Sequence, residues 1–283
     1  NSKKIHFIGI GGIGMSGMAE FLKNHKFKIS GSDIALSERI NHLISCGIKI
    51  SIGHKKENIK NCDLIIYSSA ISQNNPEIIQ GEKMKIPVIK RAELLGEMMK
   101  LKEISIAVSG THGKTTTSSI IGNILHEANL DPTIITGGII KKFNTNNISG
   151  SGNIIVVEAD EYDKSFLSMS PTYSTINNIE LEHLDIYEDI NDLKRNFIKY
   201  ANSVPFYGMI SISNDSKYAR DIIPDINKNI ITFGIDYDSD FMAKDIKFKN
   251  EKTFFKLVSN KTEFEEELSI PGKHNIYNAL AAI

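Results

Sequence analysis

Cysteine is scarce: the 283-residue sequence holds only Cys46 and Cys62, and their separation matches no metal-binding or redox spacing. That excludes a disulfide framework and points to reduced thiols in a cytoplasmic protein, serving packing rather than chemistry. An excess of charge of either sign is also missing. Lys and Arg number 33 against 34 Asp and Glu, a formal net charge of −1, so nothing in the balance predicts a nucleic acid or an anionic membrane as partner. No apolar run approaches the roughly 20 residues needed to span a bilayer. A signal peptide, a low-complexity tract and a repeat of solenoid length are all lacking.

What is present suits a globular enzyme. Hydrophobic residues make up 41% of the chain and charged residues 24%, and 283 residues exceed one ordinary core and suit two domains. The most informative stretch is Ser105 to Thr117. An apolar β-type run, Ile106 to Val108, feeds a turn bounded by Gly110 and Gly113, and a polar helix start follows at Thr115. Glycines there let the backbone turn its N–H groups toward an anion, and the helix N-terminus adds unpaired donors and a positive dipole end. Lys114 can reach the outer phosphates of a nucleotide, and the Thr115 hydroxyl can sit on Mg2+. The usual phosphate-loop pattern has glycine five residues before the Gly-Lys pair, where this chain has Val108. An ordinary strand–turn–helix corner is the plainer reading, but a corner has no need of Gly-Lys-Thr.

A second glycine loop lies near the N-terminus. Lys4 to Ile10 reads as a buried strand, and Gly9, Gly11, Gly12 and Gly14 give the spacing G-x-G-x-x-G before a helix from Met15 to Leu22. A second strand, Phe27 to Ser30, leads to Ser32 and Asp33, and the acid falls 24 residues after Gly9, near the ~20 expected of a ribose-binding carboxylate. A glycine turn used only for close helix–strand packing is the alternative. The βα alternation continues with a helix capped by Ser37, strands at Ile48 to Ile52 and Leu64 to Tyr67, and Ser68 and Ser69 at a ligand-facing strand end. Ile86 to Ile89 is a short strand and Arg91 to Met99 a helix; His54 and Arg91 read equally well as ligand contacts or surface residues. A boundary near Lys100 is expected, with domains at 1–100 and 101–283. Two anion-binding turns imply two separate phosphate ligands.

Beyond the second loop, Thr116 to Leu130 reads as a helix, Thr133 to Thr136 as a strand, and Gly137 to Gly152 as a mobile, glycine- and asparagine-rich loop. The strand Asn153 to Val157 ends in Glu158, Ala159, Asp160 and Glu161, and the three carboxylates there suit magnesium beside a phosphate loop; a solvated charge run is the bland reading. The strand Tyr173 to Asn178 delivers Glu180, Glu182, His183 and Asp185 to the same edge. Phe241 to Ile270 alternates apolar and charged residues as an antiparallel, half-exposed sheet does. Pro271 to Asn275 then opens a helix still running at Ile283, which suggests a longer parent protein.

Taken together these pieces resemble the Mur ligases of peptidoglycan synthesis. The resemblance rests on Ile8-Gly-Ile-Gly-Gly-Ile-Gly-Met15, Ser30-Gly-Ser-Asp33, Ser68-Ser-Ala-Ile71, Asn75-Pro-Glu77, Gly110-Thr-His-Gly-Lys-Thr-Thr116, Glu158-Ala-Asp-Glu161, Asn178-Ile-Glu180, His183-Leu-Asp185 and Pro271-Gly-Lys-His-Asn275 with Asn278. It implies an α/β fold: an N-terminal Rossmann-like parallel sheet, then a P-loop ATPase-like central domain with an antiparallel edge sheet. It also implies a third domain beyond the two covered here. The N-terminal glycine loop with Ser-Ser-Ala-Ile points to the alanine-adding member, whose partners are UDP-N-acetylmuramate and L-alanine and whose cofactors are ATP and Mg2+. Monomer and homodimer both fit.

Carried over residue by residue, the resemblance assigns catalysis to Lys114, Glu158 and His183. It places Gly110, Thr111, His112, Gly113, Lys114, Thr115, Thr116, Asn178, His274 and Asn275 on the nucleotide. Thr115, Glu158 and His183 would hold metal, and Gly9, Gly11, Gly12, Gly14, Ser32, Asp33, Ser68 and Ser69 would hold the UDP-sugar. Glu182 departs from the family's aspartate. Lys194 lies in the region where relatives adding later amino acids carry a carbamylated lysine. A ligase that recycles whole peptides onto the same UDP-sugar shares the run Glu158 to Asp163. A non-catalytic sensor of UDP-sugar and ATP is the rival of another class, and a redox dehydrogenase does not explain the second loop.

Overall fold

A computed structural model describes residues 3–140, 145–182, 185–260 and 262–283. The chain divides into two compact units, Asn1–Met98 with Thr145–Ser149, and Met99–Asn144 with Gly150–Ile283.

The first unit alternates strand and helix: β1 (Lys4–Ile8), α1 (Ile13–Asn24), β2 (Lys28–Asp33), α2 (Glu38–Ser45), β3 (Lys49–Ile52), β4 (Leu64–Tyr67), α3 (Pro76–Lys83), β5 (Val88–Lys90) and α4 (Arg91–Met99). Its sheet runs β3-β2-β1-β4-β5, parallel throughout. Both faces of such a sheet are covered, so its strands need no polar alternation. The last four residues of β1 are accordingly all buried, and Ile8 packs with Ile59, Ile65, Tyr67 and Ile78. Strand order reverses between β1 and β4, the switch point where open α/β sheets bind ligands. The Ser37 hydroxyl caps α2 by accepting from Ile40 N at 3.2 Å, as its sequence position predicts.

In the second unit, β6 (Ile104–Ser109) leads through the glycine–lysine loop into α5 (Lys114–Glu127), followed by β7 (Thr133–Ile140). The stretch β8 (Thr145–Ile148) groups with the first unit, where the Asn147 amide donates to Gly17 O on α1 at 3.4 Å. Then come β9 (Ile154–Ala159), β10 (Tyr173–Ile176), α6 (Ile190–Ala201), β11 (Met209–Ser213), α7 (Lys217–Ile222), β12 (Ile230–Gly234), β13 (Phe241–Lys249), β14 (Lys252–Ser259), β15 (Thr262–Leu268) and α8 (Lys273–Ala282). Within this unit the strand order is β15-β14-β13-β12-β11-β10-β6-β9-β7. The interior is parallel; β13, β14 and β15 form the antiparallel edge that the alternation of Phe241 to Ile270 predicts. On β14, Phe255 and Leu257 face inward and join Phe233, Ile276 and Leu280 in one cluster.

One expectation fails. Gly137 to Gly152 is not a single loop, because β7 runs on to Ile140 and β8 covers Thr145–Ile148. Glycine and asparagine content suggested a loop, but Gly137 and Gly138 are small for another reason: added Cβ atoms would come within 3.1 Å of Glu158 Oε2 and Thr115 Cγ2.

The first unit carries a fully buried carboxylate, Glu77. It accepts from the Ser32 hydroxyl at 2.6 Å, the Asn58 amide at 2.5 Å and Lys55 N at 3.2 Å, with His6 Nε2 at 3.5 Å and His54 Nδ1 at 3.6 Å. Burial alone would raise its pKa, but the nearby His6 and the hydrogen bonds from Ser32 and Asn58 outweigh that and hold it below the ordinary carboxylate value. A carboxyl whose folded pKa lies below its unfolded one stabilises the fold above the unfolded value, here near 4.5, and that contribution is lost as pH falls through the folded value. Glu77→Gln should therefore lower the stability of the first unit at pH 7 by about 2 kcal/mol. It should also flatten the further loss on acidification below pH 4.5; urea titrations at pH 7 and pH 4 read both effects.

Candidate active site

Parallel pairing builds the site in the second unit. β6 lies between β9 and β10, with Val108 opposite Glu158 and Ser109 opposite Ile176. The ends of these strands and the residues that follow therefore emerge at one edge: the loop Gly110 to Gly113, Glu158 at the end of β9 with Asp160 and Glu161 after it, and Asn177 and Asn178. Val108 is fully buried within β6. The turn thus begins two residues later, at Gly110, whose φ is +127°, and no glycine is needed at position 108.

The loop is braced from β10. The Asn178 amide accepts from His112 N at 2.8 Å and donates to His112 O at 3.2 Å, while Asn178 O accepts from Thr111 N at 3.2 Å. The Thr111 hydroxyl accepts from Glu180 N at 2.9 Å. Beneath lies a buried polar chain. Thr175 Oγ1 donates to Asn177 Oδ1 at 3.0 Å, Asn177 Nδ2 donates to Thr117 Oγ1 at 2.8 Å, and Thr117 Oγ1 donates to Asn278 Oδ1 at 3.3 Å. Gly113 closes the turn at φ +83°, and a side chain there would run into Asn278 Oδ1 and press on Asn177 Nδ2 at 3.1 Å.

Lys114 opens α5, and its ammonium lies back over the loop. It donates to Gly110 O at 2.8 Å and to Glu161 Oε2 at 2.8 Å, with Asp160 Oδ1 at 3.7 Å. Glu161 is 1% exposed, so the cation is fixed by a partner that water scarcely screens. Glu158 is mostly buried, and burial raises its pKa, opposed by the Thr115 hydroxyl and Gly137 N–H that bond it. Its Oε1 is buried with no hydrogen-bond partner among the described residues. A buried carboxylate with a spare oxygen beside a threonine hydroxyl fits a hard divalent cation, which takes oxygen ligands.

A cavity of about 720 Å³ opens beside the loop, within the size range of small-molecule sites. His112, Gly113, Thr116 and Asn178 form one wall; Asp215, Tyr218, His274 and Tyr277 form the other. Asp215 accepts from Ile235 N at 2.7 Å, Asp236 N at 2.9 Å, Tyr237 N at 2.8 Å and Tyr277 Oη at 2.8 Å. Burial pushes its pKa up, but these donors win and the carboxyl stays below its ordinary value. His112 faces Glu180 and Glu182 at 3.5 and 3.3 Å.

Several expected residues take other places. Asn275 is nearly buried, and its amide donates to Pro271 O at 2.7 Å; it props the start of α8 rather than walling the cavity. Lys194 pairs with Asp221 at 2.6 Å over the Tyr218 ring. His183 lies outside the described residues. Glu161, expected among the magnesium-suited carboxylates, pairs with Lys114 instead, and Asn177 and Asp215 carry weight that the sequence left unassigned. Asp215 follows the strand β11 as Glu158 ends β9, so the same signal marked it.

In the first unit, Gly9 has φ +76°, and its N–H and that of Ile10 donate to Ser32 O at 2.9 and 3.1 Å. Asp33 Oδ2 accepts from Gly11 N at 2.8 Å, and Arg39 donates to Gly11 O at 2.9 Å. Asp33 thus shapes the loop through one oxygen. Ser32 is fully buried with its hydroxyl on Glu77, where it supports the loop from beneath. Ser68 Oγ lies 3.4 Å from where a Cβ on Gly9 would stand, and Ser69 is exposed. Arg91 reaches to 2.5 Å of a Cβ built on Gly14, which places its guanidinium at the loop.

A glycine–lysine loop at the end of a central parallel strand, beside a mostly buried acid on the neighbouring strand, has the layout of a phosphate loop on an α/β sheet. The chain belongs to the Mur ligase family: the family's catalytic-domain model matches residues 4–103, and its middle-domain model matches residues 108–283. Members of this family are ATP-dependent ligases. The chain is 48% identical over 282 residues to a Persephonella marina protein named UDP-N-acetylmuramate–L-alanine ligase, covering 99% of this chain and 60% of that one. A Sulfurihydrogenibium protein of the same name is 45% identical, with 99% and 61% covered. This chain thus spans about three-fifths of these relatives' length. The crystal structure of UDP-N-acetylmuramate–alanine ligase from Thermotoga maritima superposes with TM-score 0.83 at 29% identity, covering 99% of this chain and 63% of that one. The UDP-N-acetylmuramate:L-alanyl-γ-D-glutamyl-meso-diaminopimelate ligase of Neisseria meningitides gives 0.87 at 25% identity, covering 100% and 92%.

Gly113→Ala should cost about 1–2 kcal/mol for the left-handed backbone alone. The contact with Asn278 adds to that. A lower urea midpoint for the second unit, with the first unit's unchanged, is the expected outcome.

Proposed function

We propose that the protein joins L-alanine to UDP-N-acetylmuramate in the cytoplasm, with cleavage of ATP to ADP and phosphate. The observation that carries this reading is the Gly110–Lys114 loop beside the mostly buried Glu158, with His112 and Gly113 of the loop lining a cavity large enough for a nucleotide. The names of the relatives that are nearly half identical over almost the whole chain support it.

A carboxylate is a poor electrophile because its leaving group would be oxide. In the proposed reaction the muramate carboxylate oxygen bonds to the γ-phosphorus, and the bond from that phosphorus to ADP breaks. The alanine amine then attacks the acyl carbon, phosphate leaves, and the nitrogen gives up a proton. Two anions must meet in the first step, so positive charge has to be held where they meet. Lys114 supplies it: contact with the outer phosphates would replace its contact with Glu161. Backbone N–H groups between Gly110 and Gly113 would hold phosphate oxygens, and the Asn178 brace keeps that backbone in place. Thr115 and Glu158 would hold Mg2+, which when bound shields the phosphate charges. His274 and Tyr277 would border the nucleotide, with Asn275 as their support. Gly9 to Gly14, shaped by Asp33, would cradle the UDP pyrophosphate, with Arg91 close by.

Similarity in shape to the Neisseria ligase favours a second reading, addition of a whole peptide to the same sugar nucleotide. Alanine and tripeptide offered in parallel to the full-length protein separate the two: ADP release with alanine alone supports the first reading, and release with tripeptide alone replaces it. Lys114→Ala in that protein should abolish alanine-dependent ADP release while leaving UDP-sugar affinity within about twofold, since tight coupling is expected only at the reacting phosphate. Glu158→Gln should weaken Mg2+-dependent ADP binding, read by calorimetry, by at least about tenfold.

A further inference from the structure

Glu20, His42 and Cys46 meet on the α1–α2 pair of the first unit. Glu20 stands on α1 and His42 on α2; Cys46 caps the C-terminus of α2 four residues after His42, its N–H on His42 O at 2.9 Å, so both side chains lie on one face. His42 Nε2 lies 3.5 Å from Glu20 Oε1 and 3.6 Å from Cys46 Sγ, and all three donor atoms fall within 4.8 Å of one another. A tetrahedral zinc ion bonds nitrogen and oxygen at about 2.1 Å and sulfur at about 2.3 Å, which separates N from O by about 3.4 Å and N from S by about 3.6 Å. The two measured spacings match those edges. As a bare surface contact the same geometry has little value, because His42 is 58% exposed and an exposed His–Glu pair contributes under about 1 kcal/mol.

We propose that Glu20, His42 and Cys46 form a binding site for a borderline-soft divalent cation of the zinc type, with water as the fourth ligand. The donor set selects the class: thiolate and imidazole suit Zn2+ or Co2+, whereas Mg2+ and Ca2+ take oxygen ligands. On binding, the metal–sulfur bond forms as the Cys46 thiol releases its proton to solvent, with the imidazole neutral and the carboxylate ionised. The partial exposure of Glu20 and His42 leaves the ion a way in. Such an ion would tie α2 to α1. α2 is the helix whose Arg39 bonds Gly11 O and whose Ile40 lies 2.9 Å from a Cβ built on Gly11, so the clamp would act on the support of the glycine loop.

The two cysteines make the test selective. Cys62 donates its thiol to Ile59 O at 3.1 Å, and burial pushes its pKa up to about 11, so it is a poor metal ligand. The chelator-stripped chain, held in excess Mg2+ to fill hard-oxygen sites, is titrated with Co2+. The expected result is a thiolate-to-cobalt absorption band with four-coordinate visible bands. Both should persist in Cys62→Ser and vanish in Cys46→Ser. Zn2+ affinity, measured by competition, should fall at least about tenfold in His42→Ala and in Glu20→Gln. Absence of the thiolate band, its survival in Cys46→Ser, or unchanged Zn2+ affinity in both other variants overturns the proposal.

Discussion

The register of three parallel strands is the constraint on which the second unit depends. Val108 lies opposite Glu158, and Ser109 opposite Ile176, so one turn at the end of β6 finds an acid on one side and an asparagine pair on the other. A slip of one residue would turn every side chain of a strand to the opposite face. Glu158 would then leave Thr115, and Asn177 would leave Thr117. Ala107, Val108, Ile155, Val156, Val157 and Ile176 are buried in these strands, and they tolerate little sliding, because each displaced Ile or Val would forgo about 1.5–3 kcal/mol of burial. Packing thus fixes the chemistry: hydrophobic registration sets where the polar groups emerge.

A second rule recurs in both units. Each glycine turn is held by side-chain oxygens that accept backbone N–H groups. Asp33 takes Gly11 N in the first, and Asn178 takes His112 N in the second. A glycine turn is flexible, and glycine loses the most conformational freedom on folding. Fixing it before a ligand arrives reduces the ordering that binding must supply. Ser32 and Glu77 extend the support inward: the Ser32 carbonyl holds Gly9 and Ile10, while its hydroxyl is tied to the buried carboxylate. Polar residues around each turn thus hold its backbone in place.

Lys114 illustrates the same economy of charge. Its ammonium is satisfied by Gly110 O and by Glu161. A buried carboxylate and a cation each need a partner, and this pair serves both. A phosphate would have to compete with Glu161 for the lysine, so Glu161 bears on how strongly the loop attracts an anion.

Local pattern alone determined much of this protein. The glycine spacings at Gly9 to Gly14 and Gly110 to Lys114, the βα alternation, the Ser37 cap and the alternating stretch after Phe241 were all legible, because each depends on residues close in sequence. The likeness of its motifs to the Mur ligases was legible for the same reason. What only the tertiary structure decided involves partners far apart in the chain. Ser32 and Asn275 looked like ligand contacts, and burial made them supports; Glu161 looked like one acid among several, and its position made it the counter-ion of Lys114. Gly137 and Gly138 looked like loop residues and proved to be the narrow part of a strand against Glu158 and Thr115. Cys46 lacked any metal-binding spacing along the sequence, yet a neighbouring helix brings Glu20 to it and His42. Spacing along one chain records which donors share an element, whereas burial and cross-element distance arise only when separate elements pack.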